Sequence, residues 1–227
     1  MSAEASESAR AGKERVRIRP MRRDDVAWTA RLHERALPHG FFARLGPRFL
    51  EAYHETFLDS PEGIALLAEL DGEPAGFLVG AVDVDAHRAW VVRERRRRLA
   101  KLGAACLARQ PRELLRFART RAGRYVWALA TGGRRGRTPS DEPELPLAAA
   151  VLTHVAVDPT RRRGGAGRKL VAAFEEEALT RGAGRARLTT LRDDRGAEEF
   201  WRTLGWVPGK AIADDEDRLH RVLERKL

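Results

Sequence analysis

The chain has 227 residues, 43% hydrophobic and 33% charged, with a formal net charge of +10. That is enough for one domain with a substantial core. No apolar run approaches the ~18 residues of a membrane span, and the lone Cys106 excludes an internal disulfide framework and a Cys-based zinc cluster. Charge is placed unevenly: residues 86–137 hold sixteen Arg or Lys against Glu94 and Glu113, a local net of +14, so the rest of the chain is net acidic. The basic character belongs to one segment and says little about the fold. The expectation is a soluble cytoplasmic protein with no metal, preceded by a disordered tail over 1–14.

In chain order, "VRIRP" alternates Val16 and Ile18 with arginines and predicts a half-buried strand. Asp24 or Asp25 can cap a helix carrying Trp28, Leu32 and Ala36 on one side. "LPHGFFARLGP" reads as a loop, and Pro47 opens a second helix with Phe49, Leu50, Tyr53 and Phe57 as its stripe. "GIALLAEL" and "AGFLVGAV", joined through Asp71-Gly72-Glu73-Pro74, predict a β-hairpin. The next strand, "LAAAVLTHVAV", arrives only at residue 147. It leads into "DPTRRRGGAG" and a helix burying Leu170, Val171, Phe174 and Ala178. "RARLTTL", "AEEFWRTLG" and "RLHRVLERKL" follow as strand, helix and final strand. The order β-α-α-β-β-(insert)-β-α-β-α-β predicts an α/β fold, a mixed central β-sheet flanked by helices, with a basic helical insertion over about 86–146 between strands 3 and 4.

Residues 157–171, "VDPTRRRGGAGRKLV", place five cations and three glycines between a strand and a helix. The first helical turn has free N–H groups and a partial positive charge. Gly164, Gly165 and Gly167 lack Cβ, so phosphate oxygens can approach the backbone, and neighbouring arginines supply charge-assisted donors. A dinucleotide fingerprint fails at Leu170, and a Walker loop is absent. No aromatics are interleaved for stacking on bases.

The match is to R-x-x-G-x-G, spelled by Arg162, Gly165 and Gly167 after Val157-x-Pro159, and it resembles the GNAT superfamily of acyl-CoA-dependent N-acyltransferases. "AEEFWRTLGW" is similar to a second segment of that family, and the resemblance covers about 15–84 and 147–227. It implies a single acyltransferase domain over 15–227 that uses acetyl-CoA or another acyl-CoA. It further implies that Arg162, Arg163, Gly164, Gly165, Ala166, Gly167 and Arg168 hold the pyrophosphate, with Asp194 and Trp201 near the cofactor. Val155, Ala156 and Val157 would pair with pantetheine, and the Val155 N–H would polarise the thioester carbonyl.

The resemblance leaves acid and base open. The positions matching the family's usual base hold Val151 and Thr153. His154 has the right chemistry, but strict alternation puts it on the opposite face from Val155 unless a bulge changes the parity. Glu69, Asp83 and Asp85 are further carboxylates on or after neighbouring strands. The family's usual acid, a tyrosine, is replaced by Trp201, whose indole N–H is not a useful acid.

Phe41, Phe42 and Arg44 are candidate acceptor contacts, or the two phenylalanines are core. The insertion is read as a lid or homodimer element, as a membrane-surface element, or as a nucleic-acid contact. The leading expectation is direct transfer of an acetyl group to an amine, from a small-molecule or peptide acceptor. The alternative is a catalytically weak acyl-CoA-binding module docked through its insertion.

Overall fold

Alternation of Val16 and Ile18 with arginines produces β1 (Val16–Pro20), which runs antiparallel to β2 (Gly63–Leu70) at one edge of the sheet. The computed structural model describes residues 16–110, 149–192, 195–214 and 218–227. After a 3-10 turn at Arg23–Asp25 comes α1 (Val26–Ala36). Its expected side-chain cap is absent. The Asp25 carboxylate turns back instead, accepting from the Arg22 amide at 2.7 Å and from Arg19 Nη1 and Nη2 at 2.6 and 2.9 Å. Arg19 also donates from Nε to Glu69 at 2.6 Å, so one guanidinium ties the helix start to β1 and β2. The Arg19 bond holds the Asp25 carboxyl below its ordinary range.

Phe41–Arg44, expected as loop, forms one helical turn, α2. Local apolar contacts decide this: Phe41 and Ala43 are buried. Gly46, at φ 82°, then admits α3 (Pro47–Asp59), which starts at Pro47 as read from the sequence. β2 and β3 (Glu73–Ala81) pair through a two-residue turn with Asp71 at φ 52° and Gly72 at φ 87°. Two consecutive left-handed residues make a type I′ hairpin, tighter than the four-residue connection expected.

Two helices, α4 (Val84–Glu94) and α5 (Arg96–Ala108), follow β3. Leu107, with Leu99, Leu102 and Cys106 beside it, packs on Phe41, Leu45 and Phe49, so α5 lies over α2 and α3. Two arginines of the Arg95–Arg98 run are ion-paired to α3: Arg95 to Asp59 at 2.9 Å, and Arg98 to Glu55. The rest of the expected insertion, 111–146, and the expected tail, 1–14, lie outside the described residues.

β4 (Ala150–Val157) runs antiparallel to β3 and parallel to β5 (Arg185–Leu191). The sheet order is β1-β2-β3-β4-β5-β7-β6. One face carries α6 (Ala166–Thr180), whose Leu170, Val171, Phe174 and Ala178 pack among Ile64, Leu78, Ala150 and Leu152. The other face carries α1 and α3, with Leu32 and Phe57 against Leu67, Phe77, Val79 and Ala156. α7 (Arg195–Thr203) precedes the final hairpin of β6 (Val207–Ala213) and β7 (Leu219–Lys226).

β6 is a correction to the expected element order. Its residues are almost all exposed, it contains Pro208 and Gly209, and its pairing with β7 slips between Pro208 and Ala211. An edge strand with no buried face leaves no alternation to read, and cross-strand pairing alone makes it.

Candidate active site

The centre of the site is a break in the sheet. β4 pairs with β5 only through Ala150–Ala186 and Val151–Arg187; beyond that the two parallel strands separate. Asp158 N–H donates to Ala75 O at 2.8 Å, on the β3 side. Counting back by alternation, Ala156 and His154 also direct their backbone toward β3, while Val155 and Val157 direct theirs toward the gap. The gap is therefore lined by main-chain groups of β4 that have no strand partner among the described residues, a register into which an extended ligand can add as a strand.

β4 carries a bulge where this edge begins. Gly80 pairs with Leu152 and Val79 with His154, which leaves Thr153 as the extra residue. Gly80 is required opposite it: a Cβ there would lie 2.5 Å from Val151 O and 2.7 Å from Phe174. The bulge inverts side-chain parity. Leu152, Val155 and Val157 pack on the α6 face, and Ala156 packs on the α1–α3 face. His154 turns to that same face, meeting His33 of α1 and Tyr53 of α3. His154 thus stays opposite Val155 and beside Ala156, as expected from alternation, while the bulge separates it from Leu152.

At the C-terminal end of β4 the chain enters the glycine-rich turn. Asp158 accepts from Thr160 N–H at 3.0 Å and Oγ1 at 2.7 Å, closing a 3-10 turn at Pro159–Arg161. These bonds hold the Asp158 carboxyl below its ordinary range. Arg163 at φ 70° and Gly165 at φ 82° are both left-handed, a concave backbone that turns successive N–H groups the same way. The first bond of α6 runs from Lys169 N–H to Gly165 O, so the amides of Ala166, Gly167 and Arg168 have no acceptor within the helix. The cations divide: Arg161 bonds Leu70 O at 3.3 Å and Lys169 bonds Val16 O at 2.9 Å, while Arg162, Arg163 and Arg168 are exposed around the turn. Arg162 also reaches Val157 O at 3.4 Å.

On the helix face, His154 Nε2 lies 3.3 Å from the Tyr53 hydroxyl, and its ring centroid is 4.5 Å from that of His33. His33 Nδ1 is 2.9 Å from His54 Nε2, and His54 Nδ1 is 2.9 Å from Thr29 Oγ1. Burial pushes His154 down to about 4 and His54 to about 3, and places His33 well below the ordinary value of 6.5. All three are neutral near pH 7. Phe42 lies tilted against Tyr53, centroids 4.8 Å apart, and keeps some exposure, so an aromatic wall continues from His154 toward the surface.

The expected residues fall into groups. Val155, Ala156, Val157, Arg162, Arg163, Gly164, Gly165, Ala166, Gly167 and Arg168 are contiguous along the edge and the turn. Phe41 is 5% exposed and packs in the core, whereas Phe42 stays at the aromatic wall. Arg44 sits over the Phe41 ring and bonds His39 O at 3.2 Å. Trp201 is buried, with its ring 5.5 Å from that of Trp206, and Phe200 instead lies against the turn, 3.4 Å from where a Gly167 Cβ would be. Asp194 lies outside the described residues.

The carboxylates have structural roles. Glu69 pairs with Arg19, Asp83 caps α4, and Asp85 lies on the exposed side of that cap beside Arg88. His33, His54 and Tyr53 were not singled out from the sequence as site residues. Their only signal was the i, i+4 helical position of His33 after Thr29, which a core position shares. Among the described residues no group of three or more His, Cys, Asp or Glu is placed to hold a metal, and no helix is long and apolar enough to cross a membrane.

Residues 138–206 match the Acetyltransferase (GNAT) family profile. No curated protein matches the chain. Among solved structures the fold is similar to Ard1 from Thermoplasma volcanium, with TM-score 0.55 and 15% identity over 93% of this chain and 97% of that one. It is similar to the ribosomal-protein-S18-alanine N-acetyltransferase from Escherichia coli, with TM-score 0.53 and 13% identity over 93% and 94%. It is also similar to PaiA N-acetyltransferase from Thermoplasma acidophilum in complex with coenzyme A, with TM-score 0.53 and 11% identity over 94% and 99%. The matched segment spans the splayed strand, the glycine turn and the Phe200 helix; over it the chain is similar to the GNAT acetyltransferase family, and the solved structures share its fold.

Proposed function

We propose that the protein transfers an acetyl group from acetyl-CoA directly to an amine bound between α1, α3 and β4. The observation that carries this reading is the continuity of the unpaired β4 edge with the left-handed glycine turn. Both fit a pantetheine-linked diphosphate: the edge offers main-chain partners to an amide-bearing arm, and the turn offers convergent N–H groups and exposed guanidinium groups to an anion. Acetyl-CoA would supply the acetyl group as a thioester. Toward it, Ala166, Gly167 and Arg168 donate backbone N–H groups to the diphosphate, and Arg162, Arg163 and Arg168 offset its charge.

The Val155 N–H, directed into the gap, donates to the thioester carbonyl oxygen as negative charge develops there. A donor of this kind contributes about 3 kcal/mol. His154 Nε2 accepts the proton released by the attacking amine, directly or through the Tyr53 hydroxyl. Neutral near pH 7, it is a competent acceptor, though burial lowers its basicity. The new C–N bond forms as the C–S bond breaks, and solvent protonates the departing thiolate. Nothing assigns Cys106 a covalent role, since it packs with α5 over α2 and α3.

The first test is binding. Gly165→Glu adds a carboxylate where nothing lies within 4 Å of a Cβ, so the fold survives at the cost of a strained left-handed residue, about 1 kcal/mol. Calorimetry is expected to show acetyl-CoA affinity lost in this variant, and unchanged affinity would remove the turn from the site. The second test is turnover: free CoA released from acetyl-CoA with a panel of amino sugars, polyamines and peptide N-termini. Tight binding with no amine raising release above hydrolysis would refute transfer and leave a CoA-binding module.

A further inference from the structure

The relay behind His154 has a direction that its geometry dictates. Thr29 Oγ1 donates to Val26 O at 3.1 Å, a carbonyl that can only accept, so both this bond and the 2.9 Å contact with His54 Nδ1 are satisfied only if the single hydroxyl proton goes to Val26 O. Thr29 Oγ1 can then only accept from His54 at 2.9 Å, which puts the His54 proton on Nδ1 and leaves Nε2 as a lone pair. His54 Nε2 in turn accepts from His33 at 2.9 Å, which puts the His33 proton on Nδ1 and leaves its Nε2 unprotonated. Both rings are thereby held in the Nδ1–H form, the less populated tautomer of free imidazole.

These groups are deeply enclosed: Thr29 and His54 are 0% exposed and His33 is 1% exposed. Leucines would pack the same space without desolvating four ring nitrogens. The groups facing the cluster are Thr29 and His33 from α1, Tyr53 and His54 from α3, Phe77 from β3 and His154 from β4. No carboxylate, lysine or arginine is among the causes that shift the three histidines; burial and the histidines themselves are.

We propose that Thr29, His54 and His33 form a polarity-locked hydrogen-bond relay that fixes the His33 ring against His154, making His33 and His54 positioning residues for the proton acceptor of the transfer. The role rests on the transferase reading above, whereas the tautomers do not. With the His33 rotamer and tautomer fixed, the tilted ring contact at 4.5 Å keeps His154 in one orientation against the Tyr53 hydroxyl.

The test uses the full chain with nitrogen-15-labelled histidine. Long-range nitrogen–proton correlation at pH 7.5 is expected to show His33 and His54 as Nδ1–H tautomers, and Thr29→Val to release His54 from that form. In kinetics, His54→Leu is expected to lower kcat about tenfold and move the acid limb of kcat, with acetyl-CoA affinity unchanged. His54→Gln donates to Thr29 and accepts from His33 without titrating, and is expected to restore kcat to within threefold. Nε2–H tautomers in the unmutated chain would overturn the relay and leave the transferase reading standing. Wild-type kcat and pH profile in Thr29→Val and His54→Leu, with only stability reduced, would reduce the relay to packing. Nδ1–H tautomers in a protein that acetylates no amine would overturn the transferase reading and the positioning role, and leave the hydrogen-bond polarity standing.

Discussion

At the residue scale the chemistry rests on groups whose surroundings fix their state. His154 is enclosed between His33 and Tyr53, and its low proton affinity follows from desolvation, since no carboxylate compensates. Replacing it with glutamine is expected to lower kcat by about 10²-fold, the lower range for a general base, while acetyl-CoA affinity holds. Trp201 illustrates the opposite kind of residue. It stands where the resemblance implies a cofactor contact, yet its ring is buried against Phe200 and Trp206. Trp201→Phe is expected to cost about 1–2 kcal/mol of stability and to leave the pH–rate profile in place. A lost alkaline limb in that variant would give the position an acid role it lacks the chemistry for.

At the element scale, the site is made by β4 failing to be a regular strand. Two parallel pairs with β5, then separation, open the edge, and one bulge at Thr153 puts Leu152 and His154 on opposite helical layers. Gly80 makes the bulge possible because its Cβ-free backbone lets Val151 O and Phe174 close over it. Gly80→Ala is therefore expected to destabilise the domain by about 1–3 kcal/mol, because the nearest atoms include backbone that cannot swing aside. Urea unfolding reads this directly, and an unchanged midpoint would mean that β3 shifts freely. α5 adds a second layer over α2 and α3, held by Leu107 and by the Arg95–Asp59 pair. Its cations are thus partly committed to the protein itself.

At the scale of the whole molecule, three buried histidines and the half-buried His154 set the acid limit of stability. His33, His54, His87 and His154 all have their proton affinity lowered by burial, three of them to between about 3 and about 4. Below pH 6.5 the unfolded chain binds protons on these rings and the folded chain does not, so stability rises with pH across that window. The full contribution is present above pH 6.5 and is lost as pH falls toward 4. Each such group adds a slope of about 1.4 kcal/mol per pH unit where the two states differ by a whole proton. Urea midpoints measured from pH 7.5 to 4.5 are expected to fall steeply below 6.5, and His87→Phe, filling the stack on Phe57, to flatten the slope. A midpoint independent of pH would show these rings to be open to solvent.

Short-range physics is what the sequence determined by itself. Apolar periodicity placed α1, α3 and α6, the Asp71-Gly72 pair placed the hairpin, and glycine spacing after Val157-Asp158-Pro159 placed the turn that opens α6. Each depends on side chains within a few residues of one another. The tertiary structure alone decided three things. β6 exists because β7 pairs with it, not because of any buried face of its own. Phe41 and Phe42 parted, one to the core and one to the aromatic wall, according to what α3 and α5 left open. Leu152 and His154 parted faces because of one extra residue in β4 relative to β3, a mismatch between strands seventy residues apart that no periodicity within β4 can express.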